Sequence, residues 1–195
     1  MRSGTLSSAA WRERGVSETG PADRLMRMVA RARVALGFAC GVLVFWLAKP
    51  TPATIAVGLV VVVAGEAIRF WAAGHLNKSR EVTRSGPYRL VAHPLYLGSS
   101  VIGAGLAIAS GGVVVGVIVA AYLAVTLTAA IRSEEAFLRR TFGGDYEAYR
   151  RTGIVDTSRR FSLDLAVANR EYRAVAGLLA ALLLMAWKAT YNGAF

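Results

Sequence analysis

Two short polar segments hold residue types that could do chemistry. The first is Ser85-Gly86-Pro87-Tyr88-Arg89-Leu90-Val91-Ala92-His93-Pro94-Leu95-Tyr96-Leu97-Gly98. Gly86-Pro87 marks a turn. Pro94 suits the first turn of a helix, where its missing N–H would lack a partner anyway. His93 is then at or near the N-cap, with Tyr96 and Gly98 in the first turns. The second segment runs Arg132-Ser133-Glu134-Glu135 to Arg140, then Phe142-Gly143-Gly144-Asp145-Tyr146-Glu147-Ala148-Tyr149. Adjacent carboxylates at a helix C-terminus oppose the helix dipole. Glu134 and Glu135 are better placed if their helix continues past them, or if they serve a cationic ligand. A third pair, Glu66 and Arg69, is spaced i, i+3 inside an apolar run.

The elements that position these residues follow from composition. The 195 residues include 23 Lys or Arg against 12 Asp or Glu, a net charge of +11, yet 55% are hydrophobic and 18% charged. Mean hydropathy is +0.45. High hydropathy together with high charge argues against a soluble globular enzyme, a disordered chain and a disulfide scaffold. Cys40 is the single cysteine, so no intramolecular disulfide forms. Apolar blocks run Ala35 to Ala48, Ala53 to Ala73, Leu95 to Ile131 and Ala174 to Trp187. The third, 37 residues without a charge, would be about 55 Å long as one helix, against a hydrocarbon core of about 30 Å. Ser110-Gly111-Gly112 divides it into a hairpin of two short helices, about 95–109 and 113–131.

The charges test that reading. Seven basic residues precede the first block, from Arg2 to Arg33; four lie between Lys78 and Arg89; nine lie between Arg132 and Arg173. With five spans, all three groups share one side, while Lys49 and Lys188 lie on the other. The positive-inside rule makes the basic side cytoplasmic. The expected fold is therefore an all-α, multi-pass membrane bundle of about five transmembrane helices. Its N-terminus is cytoplasmic, as are the main polar loops and the interfacial helices. Residues 1–31 form a polar tail and an interfacial helix that starts at Pro21-Ala22-Asp23, with 1–20 disordered. Residues 32–190 form one membrane domain with a last span at about 174–190. No cleavable signal peptide is expected. The basic excess reads as topology and contact with anionic lipid headgroups, not as nucleic-acid binding.

Plainer readings stand beside the chemical ones. The first segment reads equally as an interfacial aromatic belt behind a helix-start proline. The second reads as a solvated face with Glu135 paired to Arg139 at i, i+4, and Phe142, Tyr146 and Tyr149 packed on the membrane surface. Ionisable residues within a span are functional suspects, which makes Glu66 and Arg69 weak catalytic candidates. The alternative for them is an ion pair with Arg69 snorkelling. Gly103-Ala104-Gly105 reads as close helix packing, His75 and Asn77 as interfacial, and Asn169-Arg170-Glu171-Tyr172 as an anchor.

The order GPYRLVAHPLYLG, hydrophobic hairpin, EEAFLRRTFGGDYEAY resembles the isoprenylcysteine carboxyl methyltransferase and phospholipid methyltransferase superfamily of integral membrane methyltransferases. The likeness covers about residues 58–153. Ala92 departs from it, standing where the pattern has Arg and removing a possible ligand or lipid contact. The resemblance implies S-adenosylmethionine as cofactor, with Tyr88, His93, Pro94, Tyr96, Leu97, Glu134 and Glu135 at its site. It also implies a membrane lipid or lipidated small molecule or protein as acceptor. Glu134 or Glu135 would take the amino group or ribose hydroxyls, and His93 with the helix N-terminal amides the carboxylate. Methyl transfer needs alignment and desolvation of the nucleophile and no metal. Two other readings are a sterol or steroid reductase-like membrane enzyme using a nicotinamide cofactor, and a non-catalytic protein that keeps the fold.

Overall fold

The computed structural model describes residues 21–77, 81–152, 156 and 159–192. It is an all-helical bundle. Helix α1 is Pro21–Leu47, α2 Pro52–Ala73, α3 Pro94–Ala109, α4 Val113–Thr152, α5 Leu163–Ala168 and α6 Glu171–Tyr191. A 3-10 turn, Gly86–Arg89, precedes α3. The expected interfacial segment at Pro21 and the first apolar block form one continuous helix. The disorder expected of residues 1–20 lies outside the described residues.

Among the described residues, three helical stretches are long and apolar enough to cross a membrane: Pro52–Ala73, Val113–Gly144 and Glu171–Tyr191. Val34–Leu47 and Pro94–Ala109 are apolar but shorter. At about 1.5 Å per residue, the 16 residues of α3 fall short of a core about 30 Å thick. The division at Ser110-Gly111-Gly112 is as expected, but the second helix of the hairpin does not stop at 131. It runs on to Thr152, so Glu134 and Glu135 sit inside a helix and not at its end.

Backbone proximity holds α2 against α3. A Cβ on Gly58 would lie 2.5 Å from the Gly105 carbonyl oxygen, and one on Gly65 2.8 Å from the Ile102 nitrogen. In lipid no hydrophobic gain separates helix from solvent, so association relies on van der Waals contact that small residues permit. At the end away from the polar segments, Thr51 and Thr54 form a reciprocal cap on α2. The Thr54 hydroxyl also donates to the Ala109 carbonyl at 3.2 Å. Lys49 N–H donates to the Ser110 carbonyl at 2.8 Å, and Gly111 takes φ 70° where a side chain would meet the Lys49 carbonyl. Lys188 of α6 donates to the Phe45 and Trp46 carbonyls, covering orphan acceptors at the end of α1. Val44, Ala109, Val115, Val119 and Met185 form a buried cluster there, with Cys40 packed on it.

The glycine contacts predict a contrast. Gly58→Leu should drive α2 and α3 apart and cost about 1–3 kcal/mol or more. Gly177→Ala, where a Cβ meets nothing within 4 Å, should gain up to about 0.5–1 kcal/mol. Thermal midpoints in detergent check both, and equal effects would rule out the backbone contact as the cause.

Candidate functional site

The polar segments meet at the end of the bundle where α2 stops. His75 is 5% exposed, with its Nδ1 3.1 Å from the Trp71 carbonyl oxygen and its ring beside Phe161. It is buried, not interfacial as expected. Gly86, at φ 57°, lies directly on that ring, and a Cβ there would come within 2.6 Å of it. The Asn169 amide donates to the Ala73 and Leu76 carbonyls at 3.0 and 2.9 Å, closing the C-terminus of α2. The turn that carries Tyr88 therefore rests on a platform built by α2 and the segment before α6.

His93 is the N-cap of α3 and Pro94 occupies its first turn, as the sequence predicts. The His93 ring lies between two carboxylates. Its Nε2 is 3.4 Å from Glu135 Oε1, and its Nδ1 3.9 Å from Glu134 Oε2. Glu135 is also 3.4 Å from Arg150 Nη1, while Arg139 pairs with Glu147 at 3.4 Å. The expected Glu135–Arg139 pair is thus replaced. The reason is Gly143, whose φ 43° and ψ −112° break α4 and swing residues 145–152 back over the site. The Tyr149 hydroxyl donates to the Tyr88 carbonyl at 2.7 Å, and Tyr146 is 1% exposed. These two tyrosines do not pack on a membrane surface as expected. The Gly143-Gly144 pair is the sequence signal that announces the break.

A cavity of about 450 Å³ opens between these parts, lined by Tyr88, Ala92, His93, Pro94, Tyr96, Ser133, Glu134, Tyr146 and Tyr149, with Glu81 and Thr83 at one side. A second, about 270 Å³, is an apolar groove between α3 and α4, lined by His93, Tyr96, Leu97, Ser100, Leu123, Ala124, Leu127, Thr128 and Ile131. His93 and Tyr96 border both. Of the residues anticipated at the site, Tyr88, His93, Pro94, Tyr96 and Glu134 line the larger cavity. Leu97 lines the groove, and Glu135 braces His93 and Arg150 from behind. The first cavity, acidic and aromatic, suits a cationic small molecule; the second suits an apolar chain.

Glu66 and Arg69 line neither cavity. Arg69 does not snorkel. Its Nε and Nη2 both donate to Glu171 Oε1 at 2.6 Å, its Nη1 to Ser99 at 2.6 Å, and Glu66 Oε2 is 3.7 Å away. Glu171, expected to be part of an anchor, is 5% exposed and begins α6. Nothing in the sequence signals a pairing across 102 positions. The cluster ties α2, α3 and α6 together just behind the first turns of α3.

The family model described as phospholipid methyltransferase matches residues 32–145. The chain is also 33% identical over 102 residues to the nickel-cobalt-cadmium resistance protein NccN of Alcaligenes xylosoxydans xylosoxydans. That match covers 51% of this chain and 48% of that protein. No solved structure matches the chain significantly.

Two outcomes follow from this geometry. Glu171→Ala leaves the partly buried Arg69 guanidinium without its main partner, and should cost up to about 3 kcal/mol. Replacing both residues with apolar ones should recover part of that loss in the thermal midpoint. Burial is the main cause that pushes the Tyr88, Tyr146 and Tyr149 phenols above their ordinary value of 10.0. The folded protein then holds protons that the unfolded chain releases. Stability from these groups is complete below about pH 10 and is lost as pH rises through their folded-state values. Absorbance titration should show some of the seven tyrosines ionising late, with unfolding easier above that pH. Ordinary titration of all seven would refute it.

Proposed function

The chain belongs to the phospholipid methyltransferase family, and on that premise we propose that it transfers a methyl group from S-adenosylmethionine to a lipid acceptor held within the membrane. The observation that carries this reading is the wall formed by His93 and Tyr96, with a polar cavity on one side and an apolar groove on the other. A polar donor and an apolar acceptor approach from different solvents and need one place to meet. Two residues three apart on the first turn of α3 border both spaces.

The residues fit the cofactor. About 450 Å³ lies within the roughly 300–1,000 Å³ usual for small-molecule sites. Glu134 offers negative charge to an ammonium, Glu81 being engaged by Arg159, and Tyr88, Tyr96, Tyr146 and Tyr149 offer ring faces to a sulfonium. S-adenosylmethionine supplies an electrophilic methyl group on that sulfonium. Glu135 and Arg150 hold His93 and the folded-back end of α4 in register. The tyrosines exclude water, so that alignment and desolvation lower the barrier. Leu97, Leu123, Leu127 and Ile131 hold the acceptor's apolar part. The basic residues gathered at this end favour a cytoplasmic orientation and contact with anionic headgroups. Arg69 and Glu66, lying behind α3, position the helix and do not touch the reacting atoms.

Equilibrium binding to the purified protein in detergent tests the reading. Wild type should bind S-adenosylmethionine saturably and should not bind NADPH. Glu134→Ala should weaken binding about tenfold or more, the loss expected for a hydrogen bond to a charged group. Glu135→Ala should weaken it less, since Glu135 acts through His93. Absence of saturable binding, or binding indifferent to both changes, would sink the proposed site; preference for NADPH would favour the reductase reading. Lipid extracts from cells fed labelled methionine, with and without the protein, should differ by a methylated lipid that identifies the acceptor.

A further inference from the structure

Among the described residues, a few buried polar side-chain atoms have no hydrogen-bond partner: the Glu66 carboxylate oxygens and the hydroxyls of Ser85 and Tyr146. Glu66 and Ser85 line neither cavity. Tyr146 lines the larger one and is 1% exposed. A buried donor without an acceptor is rare in folded proteins and calls for an explanation. Its neighbour shows the contrast: Tyr149, three residues on, spends its hydroxyl on the Tyr88 carbonyl. Tyr146 is brought to the cavity by the break at Gly143, a position with left-handed backbone and open space around it.

The charges around the cavity say what kind of acceptor is missing. Its acidic lining residues are Glu81, which already pairs with the Arg159 guanidinium, and Glu134 beside His93, and no arginine or lysine lines it among the described residues. Arg150 is turned to Glu135. An amino-acid ligand brings both an ammonium and a carboxylate, and the acidic lining serves the ammonium alone. The carboxylate must be met by neutral donors. Burial favours the protonated phenol, so Tyr146 is a donor over the whole neutral range, and a bond to an anion is about twice as strong as a neutral one.

We propose that the Tyr146 hydroxyl donates a hydrogen bond to the carboxylate of the amino-acid moiety of the bound cofactor. The assignment rests on the cofactor reading above. It makes the folded-back end of α4 a specificity element that distinguishes an α-amino acid nucleoside from its decarboxylated counterpart.

The test compares Tyr146→Phe with wild type in equilibrium binding of two ligands, S-adenosylmethionine and decarboxylated S-adenosylmethionine. The variant should lose about 10- to 100-fold in affinity for the first and stay within about twofold for the second. Without ligand it should melt at or above the wild-type temperature, because it removes an unpaired buried hydroxyl; a purely structural hydroxyl would give the opposite shift. Tyr149→Phe, which breaks a bond internal to the protein, should lower the melting temperature and affect both ligands alike. Equal losses for both ligands in Tyr146→Phe, or no loss for either, would overturn the carboxylate assignment while leaving the cofactor reading intact. Failure of wild type to bind either ligand would overturn the cofactor reading as well.

Discussion

Everything at the polar end depends on how closely α2 approaches α3. Gly58 faces the backbone of Gly105, and Gly65 faces Ile102 and the Gly98 carbonyl, at distances that no side chain tolerates. Gly98 in turn lies against the Arg69 side chain, so the same contact that packs the helices places a guanidinium beside the first turns of α3. Lipid offers no apolar driving force for this association, and packing must come from shape. Once the two helices touch, the N-terminus of α3 is set, and with it His93 and Tyr96 at the border of the two cavities.

Charge then locks what shape begins. Arg69 satisfies Glu171 with two bonds and Ser99 with a third, joining three helices at one point. A charge in a low-dielectric interior is tolerated only when paired and hydrogen-bonded, and that requirement leaves the helices little freedom to slide. On the other flank, Glu135 takes His93 from α3 and Arg150 from beyond the break in α4. The two clusters differ in setting. The Arg69 cluster lies among apolar helices and is structural in its geometry. The Glu135 cluster reaches the larger cavity through His93.

Much of this was legible in residue order. The turn at Ser110-Gly111-Gly112, the start of α3 at Pro94 and the N-cap role of His93 follow from local rules for glycine, proline and apolar length, and the structure agrees with each. The small residues Gly103-Ala104-Gly105 pointed to close helix contact, and Gly105 makes it with Gly58 and Val62. Where local reading went astray, the partner was distant in sequence. Local rules make Glu171 an anchor because its partner, the Arg69 guanidinium, lies 102 positions away. They make His75 interfacial because Phe161 and Gly86, which bury it, belong to other segments. The helical spacing of Phe142, Tyr146 and Tyr149 points to the membrane surface, and the one glycine torsion at Gly143 turns the tyrosines inward.

The sequence by itself determined the solvent, the class and the pieces: apolar length demands a membrane, helices satisfy the backbone within it, and basic segments separate the apolar blocks. It also determined which motif pairs with which, since the resemblance rests on their order. The tertiary structure decided which charges neutralise each other and which side chains share a cavity. Hydropathy and helix signals are properties of neighbouring residues, whereas pairing of Arg69 with Glu171, or the meeting of Tyr146 with His93's cavity, exists only after helices far apart in the chain have packed.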